Sequence, residues 1–411
     1  MPEAHPGAAS NAAIGAAAHL PRLPVAGPHN QTGPRSAALP GLLDAADTLL
    51  TTSGRAAILL GLQALELPAG ALVLVPSYHC PTMVSPVLAL GLRVGFYPLG
   101  SEGAPNLDWL GKNAPEATRV ICVTHLFGLP LDLADMQAWC QERQVFLLED
   151  CAHALFGRSA SGIVGSHGDV AIASLPKFLP AMEGGVLRLR AGLHAAPLAR
   201  RGIVAELKTA LDLIETSAGH GMLGRWSSWA GPLIQLKQRL RPPQRPNTEL
   251  AEATEATEPR AHGAKTVDLS SEHARIDRSL AMKQPTAVTL KASLGAHRGR
   301  VVARRRANYQ RMSTAFAGRQ GLRPLQPVLP ADCAPYVFPL WVDAPDPAYQ
   351  QLRAAHVPLS RWDWLWPGVP AMAGDCGPTW AHHVLQLPCH QDLDDTQCDA
   401  LIEALLQSYA H

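Results

Sequence analysis

A mostly parallel β-sheet with helices on both faces, joined to a smaller α+β unit, is the fold class this sequence predicts. Three observations lead there. Short, continuously apolar β-type runs recur through the first half, as they do in sheets buried on both faces. Segments with helical spacing separate them, the alternation expected of strand–helix–strand units. The pattern then changes in the last third, and 411 residues are enough for more than one core.

Taken in order, residues 1–40 are rich in Ala, Pro and Gly with little periodicity, which predicts a flexible arm. Order is expected from about residue 41. A helix over 54–67 precedes a strand over 71–75; a helix over 81–90 precedes a strand over 93–97. Strands follow at 119–124, 145–149, 169–174 and 185–190, with a helix at 133–143. Residues 191–240 have apolar spacings of three and four and predict helix. The stretch 241–265 is Pro-, Thr- and Glu-rich and predicts a solvated loop or disordered insert. A long Arg-rich helix is expected over 285–316, its arginines forming a solvated face or an anion site. A strand at 336–342, a Trp-rich loop at 361–370 and a helix at 394–408 complete the chain. The division this suggests is a large domain over 41–284 and a small one over 285–411.

Lys+Arg number 35 against 34 Asp+Glu, a formal net charge of +1. That balance gives no electrostatic case for nucleic acid or an anionic membrane as partner. Met1 starts no signal-peptide pattern and no apolar run is long enough to span a bilayer. Eight scattered cysteines without Cys-x-x-Cys pairs read as reduced thiols, so a cytoplasmic protein without a metal site is expected. Lysine is scarce: only positions 112, 177, 208, 237, 265, 283 and 291 carry one.

Four short segments carry candidate chemistry. Ser53-Gly54-Arg55 opens a helix, where free amides and the positive dipole end suit a phosphate or a plain Ser N-cap. Glu149-Asp150-Cys-Ala-His153 follows a buried strand. A carboxylate there needs a cationic partner, whether a protonated pyridine nitrogen or an arginine. Ser174-Leu-Pro-Lys177 follows the next strand. A lysine at an apolar strand end can lose its proton to desolvation and become the amine for a Schiff base. Glu183-Gly-Gly185 is a tight turn into the strand after it.

In order and spacing, these segments resemble the pyridoxal 5'-phosphate (PLP) enzymes of the aspartate-aminotransferase fold, type I, and among them the DegT/StrS sugar aminotransferases. The resemblance includes Pro76-Ser-Tyr-His79, His125-Leu-Phe-Gly128, Glu149-Asp-Cys-Ala-His-Ala154 and Gly165-Ser-His-Gly-Asp169. It resumes at Arg304-Arg-Arg-Ala-Asn-Tyr309 and Leu387-Pro-Cys-His-Gln-Asp-Leu393. The resemblance implies that PLP is held covalently as a Schiff base on Lys177, which then moves the proton during transfer. Asp150 would pair with the pyridinium nitrogen and His153 would lie near the ring's 3-hydroxyl. Ser53, Gly54, Arg55 and Ser174 would hold the phosphate, while His125 has a structural role or a catalytic one.

Three departures from the family pattern stand out. Cys80 occupies the position of the ring-stacking aromatic, so Tyr78 or His79 is expected to take that place. Ser174 lies three before Lys177 instead of five. The family's Gly-x-Asn-x-Arg loop into the partner subunit is not visible, and Arg275-Ile-Asp-Arg-Ser-Leu-Ala-Met282 occupies that region. The function implied is transfer of an amino group from an amino acid, glutamate by expectation, to a keto-sugar nucleotide of polysaccharide or glycoside biosynthesis. A homodimer with shared active sites goes with it. Alternatives are a PLP transaminase acting on a non-sugar keto intermediate, or a catalytically silent regulatory or scaffold relative.

Overall fold

The structure, a computed structural model, describes residues 6–223, 265–266 and 275–409. The insert expected at 241–265 therefore lies outside the described residues except for Lys265, as does the part of the expected helical stretch from 224 to 240. Among the described residues of that stretch the helix is Ile203–Gly219.

Seven strands form the main sheet: β1 (Thr48–Thr51), β2 (Leu72–Pro76), β3 (Arg93–Tyr97), β4 (Thr118–Thr124), β5 (Phe146–Asp150), β6 (Val170–Ser174) and β7 (Gly185–Leu189). Their order is β1-β7-β6-β5-β4-β2-β3. From β3 across to β6 every pairing is parallel; β7 and β1 add antiparallel neighbours at one edge. The continuous apolar runs follow from burial on both faces. Along β4, Ile121 and Val123 enter one core while Val120 and Cys122 enter the other. Parallel pairing also gathers the carboxyl ends of β4, β5 and β6 at one edge, where ligands of such sheets bind.

A second sheet of four antiparallel strands has the order Ser360–Arg361, Val384–Pro388, Val337–Val342, Leu322–Pro324. It shares a core with the helices Arg298–Phe316 and Asp395–Ser408. The first of these helices lies beyond the expected division at residue 285 and joins both cores. Its Val301 and Val302 join the main-sheet core, and its Tyr309, Met312 and Phe316 join the second core.

Two expectations are corrected here. The single helix over 285–316 is two, Ala287–Leu294 and Arg298–Phe316. Gly295 weakens the helix at the break, and the His297 amide leaves the helical ladder to donate to the Asn30 carbonyl at 2.6 Å. The arm expected over 1–40 is, from Pro6 onward, not loose. Helix α1 (Pro6–Ala17) packs on Asp395–Ser408, and Ala17, Val25 and Asn30 are buried. Bulky apolar residues are few here, so composition alone misled. The segment is held by polar contacts instead: His390 Nε2 donates to the Pro21 carbonyl at 2.8 Å, and the Val25 amide donates to Asp392 at 3.1 Å.

Candidate functional site

The site grows from four strand and helix ends. Asp150 is the last residue of β5, Thr124 the last of β4 and Ser174 the last of β6. Thr124 and Asp150 are direct register partners, and Thr124 Oγ1 donates to Asp150 Oδ2 at 3.4 Å. Helix α2 (Gly54–Ala64) starts beside them, with the Ser53 hydroxyl accepting from the Ala56 amide as N-cap at 3.2 Å. The Glu183-Gly-Gly185 turn fits against this start. Gly184 has φ +129°, and a Cβ on Gly185 would collide with the Ser53 carbonyl.

Asp150, His153, Lys177, Ser174, Gly54 and Arg55 line one cleft. Burial raises the Asp150 pKa above the usual carboxylate value, opposed by the Ala152 amide bond and the charge of Lys177. The buried His153 is held neutral: desolvation first, then Lys177, push its pKa well below the usual histidine value. Its Nδ1 accepts from the Phe127 amide at 3.3 Å, which leaves the proton on Nε2. The His153 ring lies 4.4 Å from that of Tyr336, and Lys177 Nζ stands 5.4 Å over the same Tyr336 ring.

Ser53, Tyr78 and His79 are not in the cleft lining. Ser53 lies behind Gly54 as the helix cap. Tyr78 is fully buried among Phe127, Trp362 and Trp380, its hydroxyl accepting from Gln386 at 3.2 Å, and burial pushes its pKa up. His79 stacks on Phe96 at 5.3 Å, and its Nε2 accepts from the Trp366 amide at 3.3 Å. Neither ring is offered to a ligand, because each has a full set of neighbours in the core. Cys80 itself reaches the cleft, with Ile58, Met83, Ala152 and Ile172 forming apolar wall around it.

His125 has a structural position. Its Nδ1 accepts from the Leu131 amide at 2.9 Å and its Nε2 meets Glu149 at 3.0 Å. Glu149 also accepts from the amides of Gly165, His167 and Gly168. Burial would raise its pKa, but the His125 and amide hydrogen bonds outweigh that and lower it. The pair thus ties the Gly165-Ser-His-Gly168 loop beneath the Asp150 strand end. The 275–282 stretch packs back on α2: Ala281 meets Ala56 and Leu59, and Thr52 Oγ1 donates to the Leu280 carbonyl at 3.2 Å.

The arginine run at 304–306 is neither a simple solvated face nor an anion site. Arg305 is wholly buried; it donates to the carbonyls of Lys177 (2.7 Å), Pro335 (2.9 Å) and Tyr336 (3.1 Å) and to Gln391 (2.9 Å). Sequence reasoning also passed over Arg22, Tyr336 and Trp362, which line the cleft from the second unit and the N-terminal segment. Tyr336 and Trp362 lay within an expected strand and loop, but no local signal marks Arg22.

Burial of histidines has a measurable consequence. His79 and His390 are fully buried and desolvation lowers each pKa from the usual 6.5 to about 4. The unfolded chain therefore binds more protons between those values, so stability is full above pH 6.5 and is lost as pH falls toward 4. The expected loss at pH 5 is about 2 kcal/mol for each ring. Urea unfolding at pH 7.5 and pH 5.0 checks this, with His390→Asn expected to flatten the dependence by its share. An unchanged free energy at pH 5.0 contradicts it.

Comparison with known proteins points to one family. Residues 36–196 match the model of the DegT/DnrJ/EryC1/StrS aminotransferase family. The UDP-N-acetyl-3-dehydro-alpha-D-glucosamine 3-aminotransferase of Acidithiobacillus ferrooxidans is 30% identical over 142 residues, 34% of this chain and 38% of that protein. The chain thus spans under two-fifths of that relative's length in the match. Among solved structures, the aminotransferase TlmJ from Streptoalloteichus hindustanus is 21% identical with TM-score 0.57, covering 100% of this chain and 97% of that one. NtdA from Bacillus subtilis, solved with bound cofactor PMP, is 16% identical with TM-score 0.55, covering 89% and 73%. At those identities the two structures establish a shared fold alone.

The donor set of the cleft fits PLP. A buried carboxylate suits a protonated ring nitrogen, a histidine with its proton on Nε2 suits the 3-oxygen, and an amine suits the carbonyl carbon. A helix N-terminus flanked by the Ser174 hydroxyl suits the phosphate.

Proposed function

We propose that this chain, whose residues 36–196 belong to the DegT/DnrJ/EryC1/StrS aminotransferase family, is a PLP-dependent aminotransferase acting on a keto-sugar nucleotide with glutamate as amino donor. The observation that carries the reading is the convergence of Asp150, Lys177 and the α2 N-terminus on one cleft at the sheet's carboxyl edge. Bound PLP supplies an electron sink and a carbonyl carbon that condenses with amines, Lys177 being the resident one. The rest falls to the protein's own groups.

Asp150 would keep a positive charge on the ring nitrogen. Burial raises its pKa, and a cation at the ring nitrogen would favour its charged form. His153, neutral, would donate from Nε2 without adding a competing charge. Gly54, Arg55 and Ser174 would hold the phosphate and so fix the ring against Ala152 and Cys80. Lys177 Nζ would take the proton from the donor's α-carbon and return it after transfer; Tyr336 keeps its ring beside that amine. The apolar wall of Ile58, Met83 and Ile172 limits water around the reacting carbon.

The keto-sugar assignment draws on the relative named above, a UDP-linked sugar aminotransferase. A homodimer is part of the reading, and a second copy would cover Ile203, Val204 and Leu207, large apolar residues exposed on Ile203–Gly219. The eight cysteines are all free thiols, which suits a cytoplasmic enzyme. No helix among the described residues is long and apolar enough to cross a membrane.

The test is a spectrum followed by a product. Protein incubated with PLP and desalted is expected to hold a visible absorbance band that L-glutamate discharges. The discharged enzyme should then convert a keto-sugar nucleotide C=O into CH–NH2, read by mass spectrometry. Protein that retains no PLP sinks the reading; discharge by glutamate without amination of any sugar nucleotide redirects it to another keto acceptor.

A further inference from the structure

We propose that Trp362, carried into the cleft by the second unit, is the platform on which the sugar ring of the acceptor packs. The inference rests on the aminotransferase reading above and names a subsite within it.

The loop that carries Trp362 is pinned on both sides. Arg361, paired with the strand Val384–Pro388, donates to Asp346 at 2.9 Å and to Asp363 at 3.1 Å. Its guanidinium also lies 4.4 Å over the Tyr349 ring. Beyond Trp362, the Trp366 amide donates to the buried His79 Nε2 at 3.3 Å, which ties the loop to the first unit. The indole itself lies 5.2 Å from the ring of the fully buried Tyr78 and 5.0 Å from that of His153. Even so, Trp362 is only half-buried and lines the cleft. A large ring fixed by both flanks has little freedom left to lose when a ligand arrives.

Its neighbours select the part of the ligand it meets. The His153 ring lies between Trp362 and Tyr336, the latter at 4.4 Å, and Lys177 Nζ stands over Tyr336. In the reading above, His153 serves the 3-oxygen of PLP, which adjoins the carbon that Lys177 holds. Trp362 therefore borders the reacting edge of the cofactor, where the acceptor brings its carbonyl and the ring that bears it. Glutamate has a short chain and two carboxylates, with no flat face to cover. A pyranose presents a face of C–H bonds rimmed by hydroxyls, which suits an aromatic plane with a donor at its edge. The Trp341 indole N–H is spent on Asp343 at 2.7 Å; among the described residues that of Trp362 meets no acceptor.

The test isolates the sugar's share of binding. Pyridoxamine-phosphate-loaded wild-type, Trp362→Leu and Trp362→Phe proteins are titrated calorimetrically with UDP-N-acetylglucosamine, dTDP-glucose and GDP-mannose. Each is paired with its parent nucleoside diphosphate. None of these probes carries a keto group, so binding is read without turnover. The ratio of the two dissociation constants in a pair gives the gain from the sugar. In the pair that wild type binds with such a gain, Trp362→Leu is expected to cut it by about 10-fold, with Trp362→Phe between. Discharge of the PLP absorbance by L-glutamate, followed in parallel, should slow by less than that factor.

An unchanged ratio overturns the proposal and leaves the keto-sugar reading standing. Equal weakening of sugar nucleotide and parent nucleotide overturns it as well, because the indole then does not distinguish the sugar. So does a larger loss in glutamate discharge, which makes Trp362 a support for His153. If wild-type protein gains nothing from any of the three sugars while glutamate still discharges it, the keto-sugar reading falls and the platform with it. Should Trp362→Leu fail to fold, the same criteria apply to Trp362→Phe, which keeps a ring at the position.

Discussion

Lys177→Ala is expected to lower amino-group transfer by about 10⁴-fold or more, since one residue supplies both the covalent tether and the proton-moving base. The amine is singular in its surroundings. Among the described residues, Lys177 is the lysine in the cleft lining, three residues beyond the end of β6 and coupled electrostatically to both Asp150 and His153. The phosphate end and the ring-nitrogen end of the site do not involve its side chain. The variant should therefore still take up PLP, with an altered spectrum and no adduct after borohydride reduction. In the wild type, reduction followed by peptide mass spectrometry should place the adduct on the peptide containing Lys177. Lys177→Arg should not restore turnover, because a guanidinium stays protonated and offers no free amine. Small primary amines added to the alanine variant should recover part of the activity by replacing the missing base. An adduct found on another lysine, or an alanine variant retaining more than about 1% of wild-type turnover, contradicts the assignment.

The same residue shows what the sequence made legible. Strand ends were readable because both faces of the main sheet are buried, so β4, β5 and β6 appear as unbroken apolar runs whose ends are sharp. Asp150, Ser174 and Lys177 sit at or just beyond such ends, and all three line one cleft. Tyr78 and His79 show where this fails. They lie just after β2, but whether a side chain there turns to the cleft or to the core depends on distant Gln386, Trp366 and Phe96. The N-terminal segment failed for a related reason: its order comes from His390 and Asp392, more than 360 residues away. Arg305 was hidden by composition. Three consecutive arginines look solvated, yet one helix turn points the middle one inward while Arg304 reaches Asp395 and Arg306 reaches the Pro330 carbonyl.

Arg305→Met is expected to destabilise the protein by about 3–5 kcal/mol, the usual cost of removing one partner from a buried charged network. Its acceptors are neutral, three carbonyls and the Gln391 amide oxygen, and Gln391 in turn donates to the Phe178 carbonyl at 2.9 Å. The guanidinium also lies 4.5 Å over the Phe178 ring. Burial depresses its pKa to about 10, still far above neutrality, so the charge persists at pH 7 and the carbonyl dipoles compensate it. Methionine fills a similar volume but donates nothing, and leaves those carbonyls buried without a donor. Lysine keeps the charge but cannot span four acceptors in a planar fork, so Arg305→Lys should fall between the two. Two of the lost contacts hold the backbone of Lys177 and of Tyr336, the residues whose side chains meet across the cleft. Arg305 is thus a positioning residue, and its loss should shift the PLP absorbance band and lower kcat more than it raises KM. Denaturant unfolding gives the stability change, and the spectrum of folded protein at low temperature gives the positioning effect. If the methionine variant loses less than about 1 kcal/mol, the buried guanidinium is not what joins the second unit to the lysine loop. If it loses stability with an unchanged spectrum and kcat, the clamp serves the fold alone.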